Sequence, residues 1–438
     1  MSTIAGRIKN ITKFQGGQLI FVLAITAGPF FSDTVRNILL LLSIFCMSKR
    51  DFTEKLRASW TGRYKLYGYS LMLLWAMLLF IPFIFGVDGL KERIAGLGWP
   101  IEMIAWMWVA QIFARDTFFI KSLKNASIAV CGIYSLIALP AAINEADIQN
   151  YGKFGIWPLT ETSFSTGAIL CCLIVWMIYR LFAEEAGNKI VNAVIFCFFV
   201  LTLLTIFLTF RRTFWLAVIV ELLTAALVFL FASKKKFFGF IKGMAVLCGA
   251  FLILFSLLFV REDPAFAGLL KEKWGQITSI GNNEVTKFTS YRNYVWRDAV
   301  SFIKERPLTG YGYAEYDNYT KTFEWYRIVG HSHSTYLQMA WTAGIFPCAL
   351  FIALLIILLY ICITELKKRG LECAFPFAVL LILAGFAASG IFEELFKNAR
   401  RATTLYWVFL SLPLSKAFLL STPSENKMKT PDGSFTAA

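Results

Sequence analysis

The chain has 438 residues, of which 58% are hydrophobic and only 16% charged, and its formal net charge is +15. A soluble globular chain carries roughly 25% charged residues, so this composition excludes a water-soluble fold and points to an all-α polytopic membrane protein. The basic excess is of the kind that cytoplasmic loops of membrane proteins collect; no basic-aromatic module accompanies it, so it gives no reason to expect nucleic acid as a partner.

A bilayer core about 30 Å thick needs about 20 apolar residues per helix. On that criterion the chain predicts about twelve spans, near 17–31, 34–47, 66–86, 99–114, 125–143, 163–182, 190–209, 213–233, 243–260, 335–365, 371–391 and 402–420. The first two are short enough to form one re-entrant pair, and 335–365 is long enough to tilt or to begin outside the membrane. The first apolar run is followed by many more and reads as an anchor rather than a cleaved signal.

Basic clusters within 7–13, 49–65, 115–124, 234–242 and 367–369 all fall on one face of a twelve-span chain. The positive-inside rule assigns that face to the cytoplasm. Both termini are then cytoplasmic. The predicted organisation is nine spans in 1–260, an outer loop subdomain in 261–334, three spans in 335–420 and a polar, disordered cytoplasmic tail in 421–438. The nine cysteines sit in or beside apolar runs and read as packing residues, with no CxxC pair to suggest zinc.

Within the outer loop, Arg292, Val295, Trp296, Ala299, Phe302 and Ile303 recur at helical spacing, which predicts an amphipathic helix from Tyr291 to Glu305. Pro307 and the glycines of Leu308-Thr309-Gly310-Tyr311-Gly312 end it in a tight turn. A charge such as Arg292 on an apolar face needs a partner, either a carboxylate such as Glu315 or a ligand phosphate. Trp296 shares that face and is a candidate substrate contact.

Arg211 and Arg212 lie on the outer side, against the charge bias. Such a pair can be a snorkelling anchor, or it can bind an anion, because guanidinium groups match phosphate oxygens bidentately. A second outer cluster, Lys397, Arg400 and Arg401, is mixed with Glu393 and Glu394 and reads as a solvated, ion-paired loop, with Arg400 and Arg401 kept as candidate substrate contacts.

The only two histidines are His331 and His333. As metal ligands they would need Glu315, Asp317 or Glu324 to complete a site. As structure, the segment with Ser332 or Ser334 could simply cap the next helix. As chemistry, His333 could serve as a general base on a hydroxyl attacking a phosphate-activated carbon. No Gly-rich phosphate loop or nucleotide-binding domain is present, and the only DxD-like element is Glu315-Tyr316-Asp317, so the donor is not a cytosolic nucleotide.

Three segments together resemble the O-antigen ligase and polymerase superfamily of bacterial envelopes. Leu208-Thr209-Phe210-Arg211-Arg212-Thr213-Phe214-Trp215 is similar to its Thr-x-Ser-Arg helix junction, with Arg211 at the usual Ser position and register favouring Arg212. Arg292-x-x-x-Trp296-x-x-Ala299 running into Pro307-Leu308-Thr309-Gly310-Tyr311-Gly312 is similar to its loop signature. His333-Ser334-Thr335-Tyr336-Leu337-Gln338 followed by Gly344-Ile345 is similar to its His-Asn-x-Tyr-Leu-x segment, with Ser334 in place of Asn.

The resemblance implies a C-type glycosyltransferase fold in the bacterial inner membrane, with a periplasmic site and no metal or other cofactor. It implies an undecaprenyl-diphosphate-linked glycan as donor and lipid A-core oligosaccharide as acceptor. His333 would be the base, Arg212 and Arg292 would hold the diphosphate, and Arg211 and His331 would assist. The dominant outer loop at 261–334 and the short one near 144–162 favour a ligase over a polymerase or a protein O-oligosaccharyltransferase. A transporter of lipid-linked sugars is the rival from another class; it would place ionisable residues near the midplane, where this chain has little beyond Glu221.

Overall fold

The computed structural model describes residues 12–47, 64–143, 163–184, 188–259, 292–313, 331–395 and 400–415, with single positions between 268 and 278 and at 418. Glu315, Asp317, Glu324, Lys397 and the tail 421–438 lie outside the described residues. Among those described, the chain folds as helices and turns, with no strand.

The helices are α1 (Lys13–Thr26), α2 (Asp33–Phe45), α3 (Lys65–Phe85), α4 (Leu90–Phe113), α5 (Thr117–Ile143), α6 (Ser163–Ile178), α7 (Lys189–Leu208), α8 (Arg212–Ala232), α9 (Lys234–Phe259), α10 (Arg292–Glu305), α11 (Thr335–Ala343), α12 (Ile345–Arg369), α13 (Ala374–Phe392) and α14 (Arg400–Ser411). Eight of them, α3, α5 to α9, α12 and α13, are long and apolar enough to cross a bilayer. The chain is an all-α polytopic membrane protein.

Five runs read as spans differ from that reading, for separate reasons. At 1.5 Å per residue α1 and α2 are only about 20 Å long, separated by a Pro29-containing 3-10 turn. The run at 99–114 lies in α4, which is long but diluted by Glu102 and Gln111. The run near 402–420 becomes a 12-residue helix followed by a turn at Pro413. The stretch at 335–365 is not one helix: it breaks at Gly344, between α11 and α12.

The bundle is centred on α6, with 83% of its span buried, whereas α9, at 11%, lies on the periphery. Small residues explain the close approach of the central helices. Gly167 of α6 faces the Phe214 ring of α8, where a Cβ would come within 2.3 Å of that ring. Gly385 of α13 faces Glu221 of α8 just as closely, at 2.3 Å. These contacts bring the start of α8, the start of α6 and the end of α13 together at one end of the bundle.

At the same end α10 lies against α11 through Val295, Ala299, Ile303, Tyr311, Ala340 and Trp341. The buried positions are the ones whose spacing predicted an amphipathic helix. The turn after α10 then clamps the α11–α12 break. Tyr311 N donates to Trp341 O at 2.7 Å, Gly312 N to Thr342 O at 3.0 Å, and Ile345 N to Pro307 O at 2.8 Å. A Cβ on Gly310 would meet Trp341 O at 2.5 Å, and one on Gly344 would meet Leu308 O at 2.4 Å; both glycines also have positive φ, +62° and +92°. Only glycine fits there without strain. In this fold the glycine-rich turn is a backbone clamp rather than a phosphate loop.

Candidate active site

The residue that organises the site is Glu393, which follows α13 directly and is 3% exposed. Arg292 Nη2, from the first turn of α10, lies 2.6 Å from Glu393 Oε1, and Arg292 Nη1 donates to the Phe392 carbonyl. Thr213, in the first turn of α8, donates to the same carboxylate oxygen at 3.4 Å. His333 Nδ1 lies 3.6 Å from Glu393 Oε2, an ion-pair distance longer than a hydrogen bond. One carboxylate thus draws together the three segments that sequence motifs had singled out separately.

The backbone explains why Glu393 sits there. Thr335, at the start of α11, donates its N–H and its hydroxyl to the Glu393 carbonyl at 3.0 and 2.9 Å, and accepts Leu395 N–H at 2.9 Å. The segment after α13 is thereby stitched to the N-terminus of α11. Ser334 is the N-cap of that helix, its hydroxyl accepting from Leu337 N. Serine and asparagine are both strong N-caps, so Ser334 retains the capping capacity of the amide it replaces in the resembling families. Gln338 reaches back to accept Ser332 N–H at 2.9 Å. The capping and chemical readings of this segment therefore fall on different residues, Ser334 and His333.

His333 has φ +50°, and Phe210, just before Arg211, has φ +52°; among the described residues these are the only two non-glycine positions with positive φ. Such backbone costs roughly 1–3 kcal/mol and persists where surroundings over-determine it. Both lie at the site's edge, and each sets the direction of a candidate side chain.

The electrostatics divide the histidines. Burial first, then the charge of His333, with Arg292 and Arg211 adding, holds the His331 ring down to about 3 against the pull of Glu393. His331 is neutral at physiological pH and does not take up a proton there. Burial alone would push Glu393 up, but Arg292 above all, then His333 and Arg211, outweigh it and hold the carboxyl well below the usual carboxylate range. Burial also lowers Arg211, which Glu393 partly offsets.

Arg211 donates from Nε to Ser163 Oγ at 3.3 Å and shares the field of Glu393 and Arg292. Arg212 is half-buried at the first residue of α8. Motif register favoured Arg212, but the geometry brings Arg211 to the Glu393 group. Trp296 packs against Phe392 at 5.8 Å between ring centroids. Arg401 lies elsewhere, 3.5 Å from Asp33 of α2, in a partly exposed ion-pair group with Arg36 and Glu102. Of Arg400 the structure describes the backbone only, at the start of α14.

Sequence reasoning missed Glu393, reading it with Glu394 as a solvated loop; both are buried, at 3% and 0% exposed. The signal was the need of Arg292 for a carboxylate partner. That partner is Glu393, about a hundred residues downstream of Arg292, where Glu315 had been considered. Among the described residues no three His, Cys, Asp or Glu side chains converge as a metal-holding group.

Residues 197–352 match the family model described as O-antigen ligase. The match spans a little over a third of the chain and supports its membership of the O-antigen ligase superfamily. The matched O-antigen ligase segment includes Arg211, Arg212, Arg292, Trp296, His331 and His333, while Glu393 lies beyond its end. The match supports a glycosyltransferase-like enzyme of O-antigen ligase/polymerase type in lipopolysaccharide-related glycan assembly, a family whose substrates are in general lipid-linked glycans and lipid acceptors. A comparison with curated proteins gives no match.

Proposed function

We propose that this chain is an O-antigen ligase of the bacterial inner membrane. It transfers a glycan from undecaprenyl diphosphate to a sugar hydroxyl of lipid A-core oligosaccharide, at the periplasmic face and without a metal ion. The observation that carries this reading is the convergence of Arg292, Arg211 and His333 on the buried Glu393. The ligase form is favoured by the chain's single long outer loop at 261–334.

The chemistry follows from the two faces of the His333 ring. Glu393 faces Nδ1 and keeps a proton on that atom, which leaves the Nε2 lone pair to accept another. His333 Nε2 takes the proton of the acceptor hydroxyl as its oxygen attacks the anomeric carbon. The bond from that carbon to the diphosphate oxygen breaks in the same displacement, inverting the centre. Undecaprenyl diphosphate leaves with the electron pair, its charge stabilised by Arg211, Arg212 and the donors of Arg292 that Glu393 does not occupy. The exposed apolar flanks of the spans let the polyprenyl tail stay in the membrane lipid.

Purified protein in nanodiscs, given a lipid-linked glycan and lipid A-core, should form a product of inverted anomeric configuration with EDTA present. Activity abolished by EDTA and restored by a divalent cation would refute the metal-free displacement. Transfer to free glycan or to a pilin acceptor, and not to lipid A-core, would make the chain a polymerase or a protein O-oligosaccharyltransferase. Movement of donor across the bilayer without covalent transfer would make it a transporter.

A further inference from the structure

We propose that His331 is a positioning residue for His333, acting through the acceptor nitrogen on which it receives the His333 backbone N–H. His333 N lies 3.2 Å from His331 Nδ1. The peptide so held belongs to one of the two strained non-glycine residues among those described, with φ +50°. A neighbouring contact fixes the rest of the turn: Ser332 Oγ donates to Ser334 O at 3.0 Å. In this turn, the His331 ring gives the His333 peptide N–H its acceptor.

This contact also fixes the chemistry of both rings. An Nδ1 that accepts carries no proton, so neutral His331 holds its proton on Nε2. The negative Glu393 carboxylate, 3.6 Å from His333 Nδ1, favours the opposite tautomer there. The two rings lie 4.2 Å apart, tilted by 58°, so the fixed ring limits the sweep of the other. Arg211 from the start of α8, Arg292 from α10 and Glu393 from the end of α13 are the charged groups that face the pair. Desolvated and in the field of two guanidinium groups, His331 stays neutral while His333 takes the proton of the acceptor.

The inference rests on His333 being the general base, and bond count supplies the test. The amide oxygen of asparagine lies as many bonds from Cα as Nδ1 does, so His331→Asn keeps an acceptor in place. The amide of glutamine lies one bond further out, at the reach of Nε2, so His331→Gln loses it. Measured on the full-length enzyme in nanodiscs, His331→Ala and His331→Gln should lower kcat by about 10- to 100-fold with donor KM within twofold of native. His331→Asn should recover most of that loss.

Equal loss in His331→Asn and His331→Gln would overturn the proposal, as would a raised donor KM at unchanged kcat, which marks a donor contact instead. Should His331→Ala fail to fold, the Asn and Gln pair still decides. His333→Ala separates the two claims: activity retained there removes the base assignment itself. Activity lost there, with Asn no better than Gln at 331, removes only the positioning role.

Discussion

Glu393→Gln is the substitution that asks most of this site. It keeps the volume of the side chain and removes one charge from a position 3% exposed. Arg292, 17% exposed and 2.6 Å away, loses its counter-ion. Unpairing one member of a buried pair costs about 3–5 kcal/mol; the low end applies, because the amide oxygen still accepts from Arg292 and Thr213. The catalytic effect is separate. With its oxygen held by Arg292, the amide turns its NH2 toward His333 Nδ1 and needs a lone pair there. That moves the ring proton to Nε2 and takes away the atom that should accept the acceptor's proton. Loss of general-base catalysis lowers kcat by about 10²- to 10⁴-fold, and Glu393→Asp, charged but one methylene shorter, should fall between. The assay is glycan transfer by purified protein, with a thermal unfolding curve for each variant. A folded Glu393→Gln enzyme with kcat within threefold of native would refute the orienting role of the carboxylate.

Three further predictions follow from the same geometry. Because His331 is held down to about 3 from its ordinary 6.5, the unfolded chain binds a proton between those values that the native chain does not, so stability rises with pH across that window. Between pH 7 and 5 unfolding should become easier by up to about 2 kcal/mol, and His331→Asn should remove that dependence; a flat profile in the native protein would contradict the neutral ring. Arg211→Gln should cut kcat/KM for donor by about 10- to 100-fold, a loss of 1.4–2.7 kcal/mol, and at least as much as Arg212→Gln; a selective loss at Arg212 would return the phosphate role to the position that motif register favoured. Gly344→Ala, at φ +92° with Leu308 O 2.4 Å from the new carbon, should destabilise the protein by about 2–4 kcal/mol, whereas Gly98→Ala, which meets nothing within 4 Å, should leave the melting temperature unchanged or raised.

What the sequence made legible was what depends on short range. Helical spacing gave the buried face of α10, and apolar run length gave the eight helices long enough to span, though not the four further runs it also marked, because both signals are properties of a dozen or two consecutive residues. The break between α11 and α12 was hidden in an apolar run. Gly344 alone is a weak stop signal, and what fixes the break is a distant turn donating and accepting at that point. The partner of Arg292 was hidden for the same reason. Its need for a carboxylate was plain from the sequence, but the choice among Glu315, Glu393 and Glu394 depends on where α13 ends in space. Thr335 decides it by holding the Glu393 backbone against the start of α11. Motif register had similar limits at Arg211 and Arg212, since adjacent residues at a helix start diverge by about 100°, and the left-handed turn at Phe210 resets the direction of both. The histidines show the rule at its sharpest. Position in a motif could prefer His333 to His331, yet the physical ground lies in desolvation, in the nearby charges of Arg292 and Arg211, and in one backbone N–H, which together make the two rings of a His-x-His pair chemically unlike. A site built this way reads as isolated fragments until the carboxylate that joins them is located, which is why Glu393, outside every motif, is the residue whose removal tests the most.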